Sequence, residues 1–174
     1  TNTNTNTKTT PSVYVGKTLQ LSTQPLIDGD CIPLTTDLTR KYRDPVSHYT
    51  ARASAVTVNG RPFLTGSARK PIYVIFDTGV TGMVVSEDLY DERYRMAREN
   101  REKSLWGNVT LSFSTRDGGV PNVDLMARKP FTTTFDSSVK WTKAIRGYLM
   151  IVGLAFLDGN RLTVDIDREQ LWID

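Results

Sequence analysis

The stretch Val74–Val85, VIFDTGVTGMVV, restricts the possible fold more than any other part of this chain. One acid, Asp77, stands between two apolar runs, with Thr78 and Gly79 directly after it. Burying a carboxylate is costly unless it is paired or hydrogen-bonded. The segment therefore reads as strand, tight loop and strand, with an acid for which the fold must provide. Either Asp77 performs chemistry, or the loop is a structural copy of one that did.

Around this stretch the pattern is mostly β. Ala55–Val58 (AVTV) alternates toward Asn59-Gly60, a strong hairpin signal, and IYVIF at 72–76 leads into the Asp-Thr-Gly loop. Ser86 is an N-cap candidate, with Glu87 and Asp88 in the first turn, where the helix dipole favours acids. Leu89, Tyr90, Tyr94 and Ala97 give the following helix an apolar side, and the helix is expected to run to about Lys103. Val109–Phe113 and Val123–Met126 flank a second hairpin with Gly118-Gly119 at its tip. The C-terminal YLMIVGLAFLDGNRLTVDIDREQLWID reads as a buried strand, a turn at Asp158-Gly159-Asn160 and a hairpin. In that hairpin Leu162, Val164 and Ile166 alternate inward.

Residues 1–50 differ in character. TNTNTNTKTT is polar and low in complexity, with nothing to bury, and by itself should be disordered. The expected organisation is an extended N-terminal arm over 1–50 and a β domain over 51–174. The chain starts at Thr without a signal-like apolar stretch. It reads as a mature product after removal of a targeting peptide, which places it inside the cell, in an organelle such as a plastid or mitochondrion.

Composition excludes several function classes. A formal charge of +3, dispersed along the chain, does not argue for nucleic acid, and the run Asp91–Lys103 mixes both signs as a solvated helix face does. The longest apolar run, Tyr148–Leu157, is too short to span a bilayer, so no transmembrane segment is expected. The single Cys31 permits no internal disulfide, and no Cys/His cluster offers a zinc site, so neither metal nor cofactor is expected. His48, in the arm, lacks partners for a nucleophilic triad. Asp28-Gly-Asp30 lacks the downstream Glu of a calcium loop. Asp165 and Asp167 read as the solvent face of a strand, Trp106, Trp141 and Trp172 as core or interface anchors, and Asn108-Val-Thr is a glycosylation sequon by pattern only.

VIFDTGVTGMVVSEDL resembles the active-site loop of the retropepsin-like aspartic proteases, and IVGLAFLDGNRLTVDIDREQL is similar to that family's second signature. The resemblance spans residues 51–174. It implies a closed β-barrel or sandwich with one or two helices, and an acid dyad in which two carboxylates share one proton. It makes Asp77 the catalytic carboxylate, with Thr78 bracing the loop, Gly79 admitting close backbone approach and Gly153 packing against the loop. With only one such motif per chain, the dyad requires a two-fold homodimer. The sequence departs from the family where an ion pair commonly lies beside the substrate, having Thr81 and Leu154 there. Val80 is bulkier than the family's usual small residue, and Ala155 replaces a frequent Asn or Asp.

Two functions follow. The preferred expectation is a soluble retropepsin-fold domain serving as a peripheral structural or assembly subunit. Its arm would bind protein partners in a larger complex, such as an organellar photosynthetic or respiratory membrane complex. The alternative is an active homodimeric aspartic endopeptidase using Asp77, Thr78 and Gly79 from each chain.

Overall fold

A computed structural model describes residues 22, 31–43, 49–67, 69–115, 118–126, 133–134, 146–154 and 160–173. Its elements run β1 (Ile32–Pro33), α1 (Asp37–Tyr42), β2 (Thr50–Val58), β3 (Arg61–Thr65), β4 (Ile72–Phe76), β5 (Met83–Val85) and α2 (Glu87–Glu99). There follow β6 (Asn108–Phe113), β7 (Asn122–Met126), β8 (Thr133–Thr134), β9 (Tyr148–Val152), β10 (Leu162–Asp165) and β11 (Gln170–Ile173). The fold is mainly β, as the alternation and turn signals require.

Asn59 and Gly60 adopt φ values of 52° and 74°, the left-handed backbone that a two-residue hairpin turn demands, and they join β2 to β3. The large sheet has the order β7-β6-β2-β4-β9-β5-β8, with β3 also beside β2. β9 lies between β4 and β5, parallel to β4 (Ile72↔Tyr148 through Phe76↔Val152) and antiparallel to β5 (Met83↔Val152 through Val85↔Met150). All five residues of β4 are buried, as expected of a central strand covered on both faces. Ile72, Val74 and Phe76 enter the main core. Tyr73 and Ile75 face the other way, with Leu149, and are covered by Leu38 of α1.

Three expectations are corrected. The large sheet does not close into a barrel: among the described residues no pairing joins β7 to β8. Its second face is covered by α1 instead of by the sheet curling onto itself. A separate three-stranded sheet, β1-β11-β10, shares the main core through Ile32 and Leu171. Within the segment expected as an extended arm, residues 32–42 thus contribute a strand and a helix to the folded body. Most of the rest of that segment, including Asp28, Asp30 and His48, lies outside the described residues, as does Trp141.

The second correction concerns α2, which ends at Glu99 and buries Leu89, Arg93 and Ala97, while Tyr94 is 55% exposed. The i, i+4, i+8 spacing chooses the face, and an arginine occupies its middle because a carboxylate beyond the helix meets it there. The third is Ile166. It lies past the end of β10, in the turn to β11, and is 71% exposed, while Leu162 and Val164 pack on the core. No helix among the described residues is long and apolar enough to cross a membrane.

Candidate functional site

The loop 77–82 connects β4 to β5, and because β9 runs between those strands, the loop must pass over the end of β9. Backbone hydrogen bonds fix the crossing. Asp77 N–H donates to Val152 O at 3.0 Å, Gly153 N–H to Gly82 O at 2.7 Å, and Leu154 N–H to Val80 O at 2.7 Å. A Cβ placed on Gly153 would lie 2.0 Å from Val80 O and 2.5 Å from Gly82 O, so only glycine permits the approach. At the far end of the crossing Ser86 N–H donates to Leu149 O at 2.8 Å, and Ser86 Oγ accepts Leu149 N–H at 3.1 Å. Ser86 precedes α2 as expected, but its hydroxyl ties β9 to the helix start instead of capping the helix.

Asp77 is half-buried at the head of this loop, and Thr78 and Gly79 are exposed. The Asp77 carboxylate accepts Gly79 N–H at 2.8 Å, and Val80 N–H donates to Asp77 O at 3.2 Å. A side chain at Gly79 would bring its Cβ to 3.0 Å from Asp77 Oδ1, so the glycine keeps this tight turn open. Among the described residues no cation pairs with Asp77 and no hydrogen bond reaches its second oxygen. Thr78 makes no side-chain hydrogen bond among the described residues.

Thr81 is exposed, and Leu154 and Val80 are half-buried. Tyr49, 45% exposed, stands opposite the strand residue before Asp77, its carbonyl accepting Phe76 N–H at 2.9 Å. In the sequence Tyr49 is marked only by its place just ahead of the alternating β2 pattern. Ala155 and residues 116–117 of the second hairpin's tip lie outside the described residues.

The other candidates sit elsewhere. Asp165 accepts Arg168 N–H at 2.9 Å in the β10–β11 turn, and Asp167 is exposed beside it. Trp106 is buried at 4% exposure, Cys31 is half-buried, and Asn108 is exposed at the start of β6. Among the described residues no group of three or more His, Cys, Asp or Glu could hold a metal ion.

Two polar clusters were missed in sequence. Fully buried Tyr73 donates from its hydroxyl to Asp37 at 2.9 Å; burial, and then the Asp37 carboxylate, raise its pKa. Arg93, 2% exposed, meets Glu102, whose carboxyl is held below its usual range chiefly by the guanidinium hydrogen bond. Asp37 and Tyr73 lie on different elements and Glu102 lies past the end of α2, so no periodic pattern links either pair. Compared with known proteins, the chain matches no family model and no curated protein.

Proposed function

We propose that residues 51–174 form one half of a retropepsin-like, homodimeric aspartic endopeptidase, with Asp77 as the carboxylate each chain contributes. The observation that carries this reading is the loop 77–82. It is wound over β9, fixed there by backbone hydrogen bonds, and presents Asp77 with one oxygen bound to Gly79 N–H and, among the described residues, no cation opposite it. A carboxylate so placed can share a proton with its copy across a two-fold axis. The ionised member takes a proton from a water, the water oxygen attacks the scissile carbonyl, and the protonated member polarises that carbonyl.

The test pairs an assembly measurement with an activity measurement. The full chain is expected to sediment as a concentration-dependent dimer. It should cleave peptides at acidic pH and bind a statine-containing transition-state mimic. Asp77→Asn should keep the fold and lose about 10²-fold or more of the cleavage rate. A chain that stays monomeric at high concentration and binds no mimic removes the reading.

A second reading is favoured by Thr81 and Leu154, which leave the loop without the family's ion pair. In it the same domain is a peripheral structural or assembly subunit of an organellar complex, with the N-terminal segment contacting unlike protein partners. It predicts that Asp77→Asn assembles and functions as the wild type does in the complex.

A further inference from the structure

We propose that Arg93 and Glu102 form an acid-sensitive latch. It holds the C-terminal half of α2 and the segment 100–107 against the β2–β3 hairpin, and it releases them when the Glu102 carboxylate is protonated.

Arg93 sits in the middle of the buried stripe of α2, where an apolar side chain would ordinarily stand. Its Nη1 donates to Glu102 Oε1 at 3.2 Å, Nη2 donates to Glu102 Oε2, and Nη2 also reaches Ser104 O at 3.5 Å. The guanidinium lies 5.7 Å from the centre of the Phe63 ring on β3, and its buried Nε–H has no partner among the described residues. Glu102 is the carboxylate that neutralises this buried charge. A guanidinium in such surroundings is tolerated only while its anion is present.

The groups that face Glu102 come from three elements. Arg93 approaches from α2, Arg61 from β3, and the Asn59 side chain from the β2–β3 turn. All three favour the ionised carboxylate, against the opposing effect of burial. Asn59 also keys the turn into the chain beyond the latch. Its Oδ1 accepts Asn108 N–H at 3.1 Å, and a Cβ on Gly107 would come within 2.2 Å of that oxygen. Trp106 lies edge-on to Phe63 with ring centres 6.0 Å apart, so opening the latch uncovers a buried indole.

The direction follows from linkage. Glu102 has a lower pKa folded than unfolded, so its contribution is complete above the ordinary carboxylate pKa. It disappears as pH falls through the depressed folded value. The latch is thus closed at neutral and mildly acid pH and opens only at strongly acid pH. It does not depend on whether Asp77 is catalytic.

Trp106 fluorescence in a Trp141→Phe/Trp172→Phe background of the full chain tests this. A reversible red shift is expected, with its midpoint below the usual carboxylate range. Arg93→Leu/Glu102→Leu should lose this step, and Arg61→Gln, which leaves the buried pair intact, should move the midpoint to higher pH. A step that survives in the double variant at the same midpoint overturns the latch. If the double variant does not fold, an unchanged midpoint in Arg61→Gln overturns it instead.

Discussion

Gly153 and Asp77 show how much can depend on one residue's size or charge. The carbonyls of Val80 and Gly82 that surround Gly153 are backbone atoms inside a hydrogen-bonded crossing and cannot swing aside as side chains do. Gly153→Ala is therefore expected to cost about 3 kcal/mol or more, read as a lower urea midpoint with an unchanged m-value. Tyr73 makes a different demand. Tyr73→Phe removes a hydrogen bond to the Asp37 carboxylate, which is partly solvated and can recover water, so a loss of about 1.5 kcal/mol is expected at neutral pH. Because burial and the Asp37 carboxylate make the folded Tyr73 hydroxyl titrate above a tyrosine's usual 10.0, wild type's advantage is full below that pH. It shrinks as pH rises above it, which urea melts of the two proteins across alkaline pH would register.

The elements differ in how plainly the sequence announces them. Asn59-Gly60 and the alternation before it identify the β2–β3 hairpin, because the turn chemistry is local. The start of α2 is equally legible from Ser86, Glu87 and Asp88. Its buried face is not, since Tyr94 is the better hydrophobe and Arg93 is favoured only by Glu102, beyond the helix end. α1 leaves no such mark, because six residues, DLTRKY, carry too little periodicity to register. Yet this helix covers Tyr73, Ile75 and Leu149 with one buried side chain, Leu38. Leu38→Ala is expected to destabilise the protein by about 2–4 kcal/mol, measurable by thermal and urea unfolding, although it lies in a segment that reads as an arm.

For the whole molecule, the difference from expectation is closure. A barrel would have removed the sheet edges, whereas here an open sheet of mixed direction is covered on one face by a shared core and on the other by α1. The candidate site occupies one end of this sheet, and a single chain supplies only one Asp-Thr-Gly loop. If two chains make the dyad, specific activity should rise with protein concentration and saturate as dimer forms. Dilution kinetics compared with sedimentation would show whether the two midpoints coincide.

The sequence by itself determined the local vocabulary: the apolar runs of β4, β5 and β9, the tight loop at Asp77, the two hairpins and the start of α2. Side-chain periodicity and turn chemistry act within a few residues, so one stretch suffices to read them. Only the tertiary structure decided that β9 inserts between β4 and β5 and brings Gly153 against Val80. It also decided that α1 covers the second face and that Arg93 is buried against Glu102. Those outcomes depend on hydrogen-bond register, volume and charge matching between different elements, which the periodicity of any one element does not encode.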